Sequence, residues 1–135
     1  RVQYLNKGKL KKLLKPNEKL LVDGCHSIAS AKNLYNYLKT LKEPVYGILG
    51  MQKNKLPKLF IKSFKNIFKK VITLTIPNEP NSIKAEELKL IAQKYIPADR
   101  SSNIQTALKK LSSKEKKTIV VFGSLYLIGN ILNKN

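Results

Sequence analysis

The sequence predicts an α/β fold, a mostly parallel sheet covered by helices on both faces. Strand-like apolar runs alternate with helix-spaced apolar patterns almost from end to end. Three of those runs close on an acid or a glycine, at Asp23–Gly24, Gly50–Met51 and Gly123–Ser124. In sheets of this kind ligands lie outside the carboxyl ends of the strands, so these three ends are where function is expected.

The elements follow in order. Residues 1–5 (RVQYL) read as a short edge strand, and the Lys-rich stretch 6–19, with Gly8 and Pro16, as a turn or hairpin region. Leu20 to Asp23 is a short apolar strand. Ser27 then suits the N-cap of a helix whose inner face is Ile28, Ala31, Leu34, Tyr35, Leu38 and Leu41, at spacings of three and four. Pro44 stops that helix. Val45 to Leu49 is a second strand, and residues 56–68 a helix with Leu59, Phe60, Phe64 and Ile67 inward. Lys70 to Ile76 is rich in β-branched residues and reads as a third strand. After the Pro77–Pro80 loop, Ser82 is expected to cap a helix reaching Tyr95, with Leu88, Ile91 and Ala92 inward. Residues 101–111 form another helix, Thr118 to Phe122 a buried strand, and Leu125 to Leu132 a final helix, apolar on one side.

At 135 residues the chain is expected to form one domain with a real core. No run approaches the roughly 18 apolar residues of a membrane span. One cysteine excludes an intramolecular disulfide and fits a reducing cytoplasm. Cys25 is then a candidate reactive thiol or, as is commoner, a small buried filler. The net charge of +19 raises nucleic acid as a partner. Yet Arg1 and Arg100 are the only arginines among 27 basic residues, and the lysines are spread along the chain. Base and phosphate recognition favours the planar fork of Arg, so a solvated Lys face is the preferred reading. That charge still draws anionic ligands.

The polar groups gather in one place. Asp23, the sole cysteine and the sole histidine fall within four residues of LLVDGCHSIASAKNL. A carboxylate at a strand end accepts hydrogen bonds from ribose hydroxyls, and His26 can stack on or bond to a ligand. The alternative is that Asp23 binds backbone N–H groups of its own turn and His26 is a partly buried helix-start residue. Gly123-Ser124 offers a hydroxyl and free N–H groups to an anion, or an ordinary N-cap. One His and one Cys cannot make the usual metal set, so no metal ligands are expected. The phosphate loop G-x-x-x-x-G-K-[ST], a Ser-His-Asp order and interleaved aromatic and basic residues are all missing. The Phe60, Phe64, Phe68 series reads as core.

These points coincide with a resemblance. VDGCHSIASAKNL resembles the D-G-A-H-N-P-x-x-A motif of the folylpolyglutamate synthase/dihydrofolate synthase family. Arg1-Val2-Gln3 resembles the entry to that family's carboxy-terminal domain. Gly50-Met51 with Lys55 resembles its G-x-x-x-D-K-D loop, and Gly123-Ser124-Leu125-Tyr126 its closing G-S-L-Y segment. The resemblance covers nearly the whole chain. It implies a Rossmann-like three-layer α/β domain of the Mur ligase C-terminal type over residues 1–135, without the amino-terminal P-loop domain.

The implied activity is ATP-dependent ligation. The carboxylate of folate or dihydropteroate is phosphorylated, and the glutamate amine attacks the acyl phosphate. By the same resemblance Arg1 contacts ATP phosphate, Asp23 the ribose, and His26 the nucleotide or the glutamate. Ser124 lies near the glutamate, Lys55 is a possible loop contact, and no catalytic residue is assigned. ATP and Mg2+ belong to the complete enzyme, with the metal held outside this chain; the P-loop domain, in the same or a separate chain, is the implied partner. The sequence departs from the family pattern at Ser27 (for Asn), Ile28 (for Pro), and Asn54 and Leu56 (for the loop acids). Alone, the chain is expected to be an inactive fragment. The competing readings are a non-catalytic remnant and a small basic nucleic-acid-binding module.

Overall fold

The computed structural model describes residues 2–135. The sheet has six strands: β1 (Gln3–Tyr4), β2 (Glu18–Asp23), β3 (Val45–Leu49), β4 (Phe68–Thr73), β5 (Ala98–Arg100) and β6 (Lys117–Phe122). Their spatial order is β1-β2-β6-β3-β4-β5, and every pairing is parallel except that of β1 with β2. The helices are α1 (Ile28–Leu38), α2 (Pro57–Lys62), α3 (Ala85–Ala92), α4 (Ile104–Leu111) and α5 (Leu125–Lys134), with a short 3-10 turn at Lys11–Leu13.

Successive strand residues point to opposite faces, and each face has its own core. Leu21, Leu49, Val71, Val120 and Phe122 pack with Ala31 and Leu34 of α1, Phe60 of α2 and Leu88 of α3. Leu20, Val22, Ile48, Ile72, Ile119 and Val121 pack with Ile104 and Leu108 of α4 and Leu127 and Ile131 of α5. The result is the expected three-layer α/β arrangement. Strand β6 lies in the middle and is buried along its whole length, which is why it reads as an unbroken apolar run from Ile119 to Phe122. Phe60, Phe64 and Phe68 surround Phe122 with ring centroids 5.0–6.0 Å away, so they are core.

Several boundaries differ from the sequence reading. Helix α1 stops at Leu38, where the Thr40 hydroxyl donates to the Tyr37 carbonyl and closes the last turn. Ile28 is not inward: it sits in the first turn and is 42% exposed. The helix expected over 56–68 is only Pro57–Lys62, because Asn66 takes a positive φ of 71° and turns the chain into β4. Its buried residues are Phe60 and Ile61, with Phe64 buried in the turn that follows, while Leu59 is 55% exposed. Leu59→Ser is accordingly expected to change unfolding free energy by no more than about 0.5 kcal/mol, as measured by urea denaturation.

Strand β4 begins two residues earlier than expected, at Phe68, and ends at Thr73. Ser82 does not cap α3, which starts at Ala85; its hydroxyl accepts from the Ile76 N–H at 2.8 Å and donates to the Ile83 carbonyl at 2.9 Å. Helix α4 starts at Ile104, capped by Asn103, whose side chain accepts from the Thr106 N–H at 2.8 Å. The short strand β5 and its pairing with β4 were not foreseen.

At the amino ends of β2 and β6 lies a buried ion pair. Lys117 Nζ is 2.9 Å from Glu18 Oε2, with both side chains at most 1% exposed. Glu18 also accepts from the Lys15 N–H (2.8 Å), the Ser112 hydroxyl (2.6 Å) and the Ser113 N–H (2.8 Å). Burial pushes the carboxyl up, but these donors and the ammonium outweigh it and hold Glu18 at about 2.

Candidate functional site

The three strand ends singled out in the sequence become neighbours. In the parallel register Asp23 pairs with Phe122, and Phe122 with Leu49, so β2, β6 and β3 finish at one level. Helix α1 leaves β2 toward one face of the sheet, α5 leaves β6 toward the other, and α2 follows β3 back to the first. This is a topological switch point, where a parallel sheet opens a crevice.

The loops there are tied together through backbone. The Gly50 N–H donates to the Phe122 carbonyl at 3.3 Å, and the Gly123 N–H to the Cys25 carbonyl at 3.1 Å. Gly24 allows the β2–α1 loop to touch the start of α5, since a Cβ there would fall 2.4 Å from Leu125 Cδ2. The loop carrying Lys55 is braced from the 79–82 turn. Gln52 donates to Glu79 at 3.0 Å, the Lys53 N–H to the Asn81 carbonyl at 2.9 Å, and Asn81 to Asn54 Oδ1 at 3.2 Å.

Between these loops lies a cavity of about 300 Å³ lined by His26, Gln52, Asn54, Lys55, Leu125 and Tyr126. His26 and Lys55, assigned from separate segments, are thus brought together. His26 Nδ1 is shielded from solvent and has no hydrogen-bond partner among the described residues. An orphaned polar atom of that kind costs on the order of 1–3 kcal/mol, which a ligand group can recover. Gln52, Asn54 and Tyr126 were not assigned from the sequence. Their only signal there is position: two precede Lys55 in the loop after Gly50, and one ends the G-S-L-Y segment.

Asp23 and Ser124 lie on the same rim but beneath its surface. Asp23 is 4% exposed, and its Oδ1 accepts from the Cys25 N–H at 2.8 Å, which fixes the turn. Ser124 is 2% exposed and caps α5, its hydroxyl accepting from the Tyr126 N–H at 3.1 Å and the Leu127 N–H at 3.4 Å. Ser27 caps α1 in a reciprocal box with Ser30. Arg1 lies outside the described residues. Burial and the Asp23 carboxylate push the Cys25 thiol well above its ordinary range, so it is core filler rather than a nucleophile. Among the described residues no helix is long and apolar enough to cross a membrane, and no group of three or more His, Cys, Asp or Glu could hold a metal ion.

The three-layer fold with its mostly parallel sheet is that of the α/β domain found in folylpolyglutamate synthases. The folylpolyglutamate synthase of Thermotoga maritima superposes with a TM-score of 0.78 at 25% identity, over 97% of this chain and 29% of that one. E. coli FolC in complex with DHPP and ADP gives 0.76 at 16% identity, over 90% and 29%. Mycobacterium tuberculosis folylpolyglutamate synthase, complexed with ADP and AMPPCP, gives 0.74 at 19% identity, over 85% and 29%. The chain therefore spans under a third of the length of these enzymes. No curated protein matches the sequence. The family described as the C-terminal domain of dihydrofolate synthetase matches residues 6–134, and this chain belongs to that family.

Proposed function

We propose that the domain forms one wall of the reaction site of an ATP-dependent ligase that joins glutamate to folate, dihydropteroate or both. The reading rests on one observation: His26 and Lys55 share a cavity at the switch-point crevice, with His26 Nδ1 left without a partner. Lys55 supplies positive charge for a glutamate carboxylate, and the imidazole a hydrogen bond to glutamate or nucleotide. Asp23 would take the ribose hydroxyls once the loops open around a bound nucleotide. Arg1 would meet phosphate, and Ser124 would stand near the glutamate. The phosphate loop and the Mg2+ ligands come from an amino-terminal P-loop domain, in the same or a separate chain. Such a ligase would work in the cytoplasm, where Cys25 stays reduced.

The chemistry needs both parts. The phosphate loop presents the ATP γ-phosphate to the substrate carboxylate, an acyl phosphate forms, and the glutamate amine displaces phosphate. This domain's contribution is to place the amine and exclude water, the kind of positioning that lowers a barrier without a covalent role.

The test is transfer of radiolabelled glutamate to dihydropteroate and to tetrahydrofolate, with ATP and Mg2+. The chain alone is expected to give no product, and the chain with a P-loop domain to give one. His26→Ala and Lys55→Ala should each lower that rate at least about tenfold, a loss of roughly 1.4 kcal/mol, while leaving Tm unchanged. No product from the two parts together, or unchanged rates in both variants, would overturn the reading.

A further inference from the structure

The sheet contains a second switch point, at its other end. Strand β4 leads into α3, on the face with α1 and α2, whereas β5 leads into α4, on the face with α5. A crevice again opens outside the carboxyl ends of the strands. It is a cavity of about 450 Å³, and none of the residues lining it lines the His26–Lys55 cavity.

Its wall differs from the rest of the surface. In a chain of net charge +19, this wall carries two acids and two bases, which cancel. Arg100 is paired with Glu86 at 2.5 Å, and Lys110 with Asp99 at 3.7 Å. All four side chains are 40–62% exposed, so the pairs contribute little. Lys110 Nζ also donates to the Arg100 carbonyl at 2.7 Å, and Asp99 Oδ1 accepts from the Arg100 N–H at 2.7 Å. Hydroxyls complete the lining. Thr75 Oγ1 accepts from the Ala85 N–H at 2.9 Å, but its own proton has no acceptor among the described residues. The Thr106 hydroxyl makes no hydrogen bond among them either. The backbone beneath is fixed, with the Ser101 N–H on the Thr73 carbonyl at 3.0 Å and Thr73 Oγ1 on the Ala85 carbonyl at 2.8 Å.

A simple anion entering here meets Glu86 and Asp99, and a simple cation meets Arg100 and Lys110. A molecule with both charges satisfies both sets. We propose that this cavity binds a free α-amino acid with a polar side chain. Its carboxylate lies on the guanidinium edge of Arg100, its ammonium between Glu86 and Asp99, and its side chain against Thr75 and Thr106. Two weak intramolecular ion pairs are then replaced by three charged contacts to the ligand, and Lys110 keeps its hydrogen bond to the Arg100 carbonyl. The proposal does not depend on the ligase reading.

The test is an amide-resolved NMR titration of the 135-residue chain with each of the twenty standard L-amino acids added singly, and with inorganic phosphate. At least one polar amino acid should shift the Ala85, Ser101, Ser102 and Thr106 amides saturably, with phosphate leaving them in place. Arg100→Gln, at an exposed position that should not disturb the fold, should weaken that binding about tenfold or more, and Thr106→Val should weaken it as well. The proposal is overturned if no polar amino acid moves these amides, if phosphate moves them as an amino acid does, or if Arg100→Gln binds as the parent chain does.

Discussion

Lys117→Ala is expected to lower the unfolding free energy by about 3–5 kcal/mol at neutral pH, because it strands a buried carboxylate without its counter-charge. That is a large part of the roughly 5–15 kcal/mol by which a domain is stable. Chemical denaturation is the measurement. The sign of the pH dependence follows from Glu18. Its folded value of about 2 lies below the ordinary 4.5, so its stabilisation is complete above about pH 5 and is lost as pH falls through 4.5 toward 2. The parent chain therefore loses a few kcal/mol over that interval. In Lys117→Ala the folded value moves back up, less is lost, and the gap between the two proteins narrows in acid. Glu18→Leu combined with Lys117→Met should recover only part of the deficit: apolar replacement removes both desolvation costs but leaves the Lys15 and Ser113 N–H groups and the Ser112 hydroxyl without their acceptor. A Lys117→Ala protein as stable as the parent at pH 7 would show that the pair is not what anchors β2 to β6.

Gly123→Ala is expected to destabilise by about 2–6 kcal/mol, from backbone strain and from overpacking of roughly 1–3 kcal/mol each. Gly123 has φ +110°, and an added Cβ would fall 2.4 Å from the Gly50 carbonyl oxygen and 2.7 Å from Leu49 Cδ1. The backbone oxygen cannot swing aside, so the β3 and β6 loops must separate. The bond from the Gly123 N–H to Cys25 and the α5 cap at Ser124 would shift with them. Amide exchange should accordingly speed up at Cys25, Gly123 and Tyr126 before it does at the β6 interior. Unchanged Tm and exchange would refute this account of the crevice.

Much of the fold was legible in the sequence because one-dimensional signals carried it. The apolar run of β6, the β-branched β4 and the Ser27 cap each declared an element locally. Where the reading failed, a distant partner had decided the outcome. Ser82 looks like a cap, but its hydroxyl is taken by Ile76 and Ile83. Leu59 continues a helical apolar pattern, but a left-handed Asn66 ends the segment and leaves Leu59 outside. Strand β5 is three residues of ADR, too short and polar to show a period; the edge of β4 made it a strand. At the candidate site, only the placement of His26 and Lys55 after strand ends was readable from the segments that hold them. The burial of Asp23 and Ser124 was not, because it depends on which loops cover them.

What the sequence determined by itself was therefore the kind of domain: a parallel α/β sheet with its polar groups at strand ends, resembling the carboxy-terminal domain of the family to which it belongs. Periodicity and short motifs hold that information within a turn or a strand of chain. The tertiary structure decided which strand ends meet. It placed β6 between β2 and β3, set Lys117 against Glu18 across 99 residues, and joined His26 to Lys55 around one cavity. Each of these is a long-range contact, and no local pattern specifies which of several compatible strand orders buries the most apolar surface while leaving no buried charge without a partner.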